Sequence, residues 1–287
     1  MKKVIVISGP TGIGKTKLAC KIARMFNLPL INADASQMRK GMDIGTANIT
    51  DIEVKSIDHY LFKFLEPNSD FSIKDYQDLV RPIIDKYDCS IISGGSGLYI
   101  DAALLDYDLT SDARNKNKEY DLSNEELYSL LESKDPILAS KTHANNRKRV
   151  LRYLEIAGKE DKKPVELYDI LYITLDMERA SLYERINSRF NKMIDCGWIS
   201  EATKLKKDGY DLSKIKEIGY AQLGNYLDGT ISLDEASEVI KQKTRNYAKR
   251  QLTWFRGSKN KYHNYYCINK GLEEDKAISL IEAFLSK

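Results

Sequence analysis

The sequence predicts an α/β protein: a parallel sheet covered by helices and interrupted by a helical insertion. Three observations carry this expectation. A short β-branched run, "KVIVIS" at 3–8, leads directly into the glycine-rich "GPTGIGKT" and then a helical pattern. Strand and helix patterns alternate after it, the order that builds a parallel sheet with helices on its faces. Near residue 106 the periodicity stops, and helical patterns alone follow until a strand pattern returns near 169.

Taken in order, residues 3–8 have the length and composition of a buried strand. Leu18, Ile22, Met25 and Phe26 then recur at helical spacing, and "LPLINAD" reads as a second strand ending in Asp34. Ser72 with Asp75 three residues on forms a capping box, opening a helix that runs to about Tyr87. Ile91 and Ile92 mark a strand at 90–93 that ends in Ser93-Gly94-Gly95-Ser96-Gly97. Residues 106–124 are polar and carry no period. Ser123 with Glu126 opens a helix bearing Leu127, Leu130 and Leu131, and another runs from near Asn146 to Gly158. "DILYITL" at 169–175 returns the chain to the sheet, and helices follow at 178–196, 198–207 and from Ser232 to Arg256. The expected domains are a core of 1–106 with 168–287 and an insertion of 107–167.

Composition narrows the class. The 287 residues suit roughly two domains, or one domain with an insertion. Hydrophobic content of 42% and charged content of 30% are those of an ordinary globular protein. A net charge of +3 is too small to argue for a nucleic-acid partner, so the distribution of charge decides. No apolar run approaches the roughly 18 residues of a membrane span, and the first residues lack the apolar core of a signal peptide. Cys20, Cys89, Cys196 and Cys267 lie far apart without a C-x-x-C pair, suggesting neither a zinc site nor a disulfide framework. The expected compartment is the cytoplasm.

Gly9-Pro10-Thr11-Gly12-Ile13-Gly14-Lys15-Thr16 fits G-x-x-x-x-G-K-[ST] between a strand and a helix. Its glycines let backbone N–H groups turn toward phosphate oxygens, and the helix N-terminus adds partial positive charge. Lys15 neutralises phosphate, and the Thr16 hydroxyl reaches a magnesium ion. The loop specifies a polyphosphate without specifying ATP. Loops of this kind are usually served by an acid at the end of a neighbouring strand, yet here that strand ends in serine and glycines. Asp34 sits where open α/β sheets put their ligands. It either caps the next helix or orients a nucleophile. Ser96, alone, reads as a turn serine beside the same crevice.

Two basic arrays complete the inventory. In "TRNYAKRQLTWFR", Arg245, Lys249 and Arg256 fall within about 40° of one another, with Lys241 extending the stripe and Tyr247 and Trp254 opposite. No interleaved acids are evident, and like charges four apart cost a bare helix roughly 0.2–0.5 kcal/mol per pair. In "NNRKRVLRYLE", Lys148, Arg149 and Arg152 gather opposite Val150, Leu151 and Leu154. Two basic surfaces suit a long polyanion.

The combination resembles the tRNA dimethylallyltransferase (tRNA isopentenyltransferase) family of bacterial type over nearly the whole chain. The resemblance rests on "GPTGIGKT", "INADASQMRKGMDIGTA", "LEPNSDFSIKDYQ", "GGSGLYI", "HANNRKRVLRYLE", "RINSRF", "IGY" and "TRNYAKRQLTWFR". It implies a P-loop NTPase-like core with an insertion that grips the anticodon arm of tRNA. The implied reaction moves a dimethylallyl group from its diphosphate to the exocyclic amine of the adenosine 3′ of the anticodon. The loop then holds the donor diphosphate at Gly9 to Thr16 with Arg189, and the absent strand-end acid is expected. Asp34 becomes the general base, Lys15 and Ser96 join it at the reacting atoms, and Mg²⁺ is held through Thr16. The implied tRNA contacts are Asp34, Ala35, Ser36, Gln37, Ser96, Lys148, Arg149, Val150, Leu151, Arg152, Lys216, Glu217, Ile218, Gly219, Tyr220 and Ala221. The stripe residues Arg245 and Lys249 are added to them, and a monomer is expected. The chain departs from the family pattern at Ala35, Arg39, Tyr60 and Asn146. Alternative readings are an isopentenyltransferase of free adenine nucleotides, a P-loop small-molecule kinase, or a non-catalytic tRNA-binding protein.

Overall fold

The computed structural model describes residues 1–107, 109, 121–158, 164–269 and 274–287. They form two compact units, one of 1–107 with 165–287 and one of 108–164. Residues 107 and 165–167, expected in the insertion, belong to the larger unit. The Asp106 N–H donates to the Val165 carbonyl at 3.0 Å and the Leu167 N–H to the Leu104 carbonyl at 2.9 Å. Most of the polar stretch expected at 106–124 lies outside the described residues.

The sheet of the larger unit has six strands, all parallel: β1 (Lys3–Ser8), β2 (Leu30–Asn32), β3 (His59–Tyr60), β4 (Cys89–Gly94), β5 (Asp169–Asp176) and β6 (Tyr265–Asn269). Their spatial order is β3-β2-β4-β1-β5-β6. Helices cover both faces, so even the alternate residues of β1 are apolar. Ile5 and Ile7 face one layer and Val4 and Val6 the other, all fully buried. Each such side chain contributes roughly 1.5–3 kcal/mol on burial.

The helices, in chain order, begin with α1 (Lys15–Phe26), α2 (Asp51–Val54), α3 (Ile73–Lys86) and α4 (Gly97–Leu104). The smaller unit holds α5 (Asn124–Lys134), α6 (Pro136–Ala139) and α7 (Arg147–Ile156). The larger unit resumes with α8 (Arg179–Asp195), α9 (Trp198–Lys207), α10 (Tyr220–Leu227), α11 (Leu233–Ser258) and α12 (Glu274–Leu285). The expected capping boxes form at Ser72 with Asp75 and Ser123 with Glu126, and two more form at Thr50 with Glu53 and Ser232 with Glu235. α1 and α12 pack on the Ile5 face of the sheet, and α3 and α4 on the Val4 face. Leu127, Leu131, Ala139, Val150 and Leu154 make the separate core of the smaller unit.

Strand order places the site. β4 lies between β1 and β2, with Ser8 opposite Gly94 and Asn32 opposite Ser93. The three segments leaving these strands therefore emerge side by side at their C-terminal ends, where open α/β sheets bind ligands. They are the phosphate loop, the 95–97 turn and the stretch that carries Asp34.

Candidate active site

The phosphate loop is shaped by its glycines and pinned by Ile13. Gly14, at φ +98°, is the N-cap of α1, a left-handed backbone that favours glycine. Ile13 is fully buried, anchoring the loop in the core. Lys15 is also buried, and its Nζ donates to the Pro10 carbonyl at 3.0 Å. Burial pushes its ammonium down to about 8; nearby Asp34 opposes this shift and Arg189 adds to it. Thr16 is half-exposed in the first turn of α1.

β2 ends at Asn32, two residues before the expected Asp34. The fully buried Asn32 side chain turns the chain there: its Oδ1 accepts from the Asp34 N–H at 2.9 Å, and its Nδ2 donates to the Asp34 carbonyl at 3.0 Å. Asp34 then caps a 3₁₀ turn over Ala35–Met38, with Oδ1 accepting from the Ser36 N–H at 3.2 Å. The capping reading of Asp34 is thereby met. One oxygen caps while the other, Oδ2, lies 3.0 Å from where a Gly95 Cβ would stand.

Ser96 starts α4, but its hydroxyl makes no cap bond in that helix. Its Oγ accepts instead from the Ala35 N–H at 3.1 Å, and its own N–H donates to the Ala33 carbonyl at 3.0 Å. Ser96 thus ties the turn to the backbone next to Asp34.

α8 delivers arginines from one face, four residues apart. Arg189 Nη1 reaches Thr11 Oγ1 at 3.5 Å, and Arg185 Nε donates to the Gly12 carbonyl at 3.1 Å. Burial pulls the Arg189 guanidinium below its ordinary value, and Asp34 opposes the shift. α11 contributes Tyr247, whose phenol burial and Asp34 push upward. It also contributes Gln251, buried between the loop and the turn.

Of these groups, Thr11, Gly12, Asp34, Arg189 and Tyr247 line one cavity of about 90 Å³. Thr11, Asp34, Ser36, Arg189, Thr244 and Tyr247 form its polar part. Ile186, Phe190, Met193, Trp198, Ile218 and Ile240 form an apolar wall. One guanidinium, one carboxylate and several apolar side chains thus share the wall of this cavity, a combination suited to an anionic group carrying an apolar tail.

A family model described as IPP transferase matches residues 37–258. The chain belongs to this family. It is 42% identical over 272 residues to the tRNA dimethylallyltransferase of Anoxybacillus flavithermus, covering 89% of this chain and 88% of that protein. It is 40% identical over 274 residues to that of Bacillus subtilis, covering 88% and 87%. Among solved structures, the tRNA Δ(2)-isopentenylpyrophosphate transferase of Staphylococcus epidermidis superposes with a TM-score of 0.74 at 36% identity, covering 99% of each chain. A eukaryotic dimethylallyltransferase acting on tRNA superposes at 0.86 with 25% identity, covering 100% of this chain and 80% of that one.

Within this family fold, the expected residues divide into those that reach the cavity and those that do not. Thr11, Gly12, Asp34, Ser36, Arg189 and Ile218 line it. Gln37 is turned inward, its Nε2 donating to the Ala47 carbonyl at 3.0 Å. Glu217 is held by Arg39 at 3.2 Å with both side chains nearly buried, and Tyr220 is fully buried, donating to Glu201 at 2.7 Å. Of the 216–221 segment, Lys216 is exposed and pairs with Asp70, Ala221 is half-buried, and Gly219 packs its Cα against Trp198. Val150 is fully buried and Leu151 packs against the same small core, while Lys148, Arg149 and Arg152 are exposed. Gln37, Val150, Glu217 and Tyr220, implied as tRNA contacts by the resemblance, thus have buried or nearly buried side chains engaged within the protein.

Part of the α11 stripe is answered by acids, contrary to the expectation that none interleave with it. Lys241 pairs with Glu238 at 3.2 Å on its own helix, and Arg256 pairs with Asp176 from β5 at 3.0 Å. Arg245 donates to Asn187 at 2.9 Å, and Lys249 is exposed. Asn32, Arg185, Tyr247 and Gln251 were missed because their roles depend on partners distant in the chain. Only Arg185 had a local signal, four residues before Arg189 on the same helical face.

Proposed function

We propose that this chain transfers a dimethylallyl group from dimethylallyl diphosphate to the exocyclic amine of the adenosine 3′ of the anticodon in tRNA. The observation that carries the reading is the juxtaposition of Asp34 and Arg189 on the wall of one partly apolar cavity, with Lys15 of the phosphate loop close enough to feel the charge of both. The donor diphosphate lies on the phosphate loop, and its five-carbon tail on Ile186, Phe190, Met193 and Trp198. The adenine amine attacks the first carbon of the tail. A C–N bond forms, the C–O bond to the diphosphate breaks, and pyrophosphate leaves with the bonding pair. Asp34 takes the proton of the amine, whose lone pair is otherwise delocalised into the ring. Lys15 and Arg189 stabilise the charge that develops on the leaving oxygen.

Among the described residues no group of three or more His, Cys, Asp or Glu could hold a metal. The donor set suits Mg²⁺ only together with the diphosphate, since this ion is commonly held by few protein groups, substrate phosphates and waters. Thr16 is the residue that would hold it, and the ion would neutralise phosphate charge. The exposed basic face of α7 and Lys249 are the surfaces offered to tRNA. Among the described residues no helix is long and apolar enough to cross a membrane. The reading places a monomer in the cytoplasm with its tRNA.

The test is mass spectrometry of nucleosides from unmodified tRNA after incubation with protein, magnesium and dimethylallyl diphosphate, with free AMP and ATP as rival acceptors. Prenylated adenosine in tRNA alone supports the reading; modification of free nucleotides alone overturns it. Asp34→Asn keeps the shape and removes the base, so single-turnover transfer falls roughly 10²–10⁴-fold.

A further inference from the structure

We propose that Gln251 is a positioning residue that sets the separation between the donor loop and the Asp34 side of the cavity. The inference rests on the reading that the loop holds the donor. α11 runs past both the phosphate loop and the turn after β4, and Gln251 is buried where it meets them. Its Oε1 accepts from the Thr11 N–H at 2.8 Å, and its Nε2 donates to the Gly95 carbonyl at 2.8 Å. One rigid, planar amide therefore links the two segments. That Thr11 N–H serves the amide, while the Thr11 hydroxyl faces Arg189.

Neighbouring residues are fitted to this bridge. A Cβ on Gly95 would stand 2.4 Å from Gln251 Nε2 and 3.0 Å from Asp34 Oδ2, so the turn passes between the amide and the acid with no room for a side chain. Three residues along α11, the Trp254 indole fills the space where a Gly97 side chain would lie, 2.2 Å from its Cβ position. The helix thus contacts both glycine positions of the turn. Only a side chain with an acceptor and a donor on one carbon satisfies both partners. Glutamate offers two acceptors and repels the Gly95 carbonyl; leucine leaves both partners buried and unpaired.

For group transfer the separation matters, because a displacement of about 1 Å between reacting groups costs on the order of 10²-fold in rate. Gln251→Leu is expected to lower single-turnover transfer of dimethylallyl to tRNA by tens- to hundredfold, with the Michaelis constants for donor and tRNA changing much less. Gln251→Glu supplies the second variant. A protonated carboxyl has one donor and one acceptor, and burial raises its pKa. Its rate relative to wild type is therefore expected to recover as pH falls from neutral to mildly acidic. The experiment measures transfer by wild type and both variants across that range, with thermal melts and hydrogen exchange at the Thr11 amide. A wild-type rate in Gln251→Leu, or a Gln251→Glu deficit that is the same at every pH, overturns the proposal. If wild type transfers nothing, the functional reading falls and the proposal with it. Thr11 exchange then still reports on the bridge itself, since it should quicken in Gln251→Leu only if the amide holds it.

Discussion

At Lys15 the fold alters the chemistry of a motif residue. Burial holds its ammonium at about 8 before any donor arrives. A bound diphosphate favours the charged form and so raises that value. Below about 8 the lysine carries its proton with or without donor, and affinity is flat. Above it, binding must take up a proton, so affinity falls up to tenfold per pH unit. Calorimetry in buffers of different ionisation enthalpy should show that uptake in wild type and its loss in Lys15→Met. Binding without proton uptake a unit above the break would remove Lys15 from the phosphate site. Ser96 has a different weight from the one its position in the sequence suggests. Ser96→Ala leaves the Ala35 N–H without its partner, and should lower stability by about 1–3 kcal/mol in urea melts. Ser96→Thr retains the hydroxyl and most of that stability. An alanine variant that melts with wild type would show that the bond contributes nothing.

Among the elements, α7 and α11 differ although their sequences look alike in charge. Acids from the same helix and from β5 answer Lys241 and Arg256 at the two ends of the α11 stripe. On α7 the Arg149 guanidinium lies over Tyr153 and Arg152 pairs with Glu155, while Lys148 is exposed. Lys148→Ala should therefore weaken tRNA binding uniformly across tRNA sequences and reduce the salt slope by about one unit if it removes one phosphate contact. Arg152→Ala should do less. Filter binding over a salt series measures both slopes, and an unchanged slope for Lys148→Ala would return this face to ordinary solvated surface.

For the whole molecule, the ends of the insertion meet. Leu105 and Glu166 form an antiparallel bridge, and Asp106 bonds to Val165. Replacing 108–164 by a short glycine-rich turn should therefore leave the larger unit folded, with donor binding near wild type. Affinity for tRNA should drop by tenfold or more, since the α7 cations leave with the insertion. Parallel titrations of donor and tRNA check this; retained tRNA affinity would show that the insertion does not grip.

The sequence by itself determined the alternating core, the phosphate loop, the capping boxes and the family, because each is written in residues close together along the chain. Apolar period, glycine spacing and i to i+3 caps need no distant partner. The tertiary structure alone decided which charges are answered, which candidate contacts are buried, and what the cavity brings together. Glu217, implied as a tRNA contact, is held by Arg39 from far earlier in the chain. Gln251 looked like one polar residue of a basic helix until the sheet order set the loop after β1 beside the turn after β4. Such contacts join residues through space at separations that local propensity does not encode, and the packed core selects them.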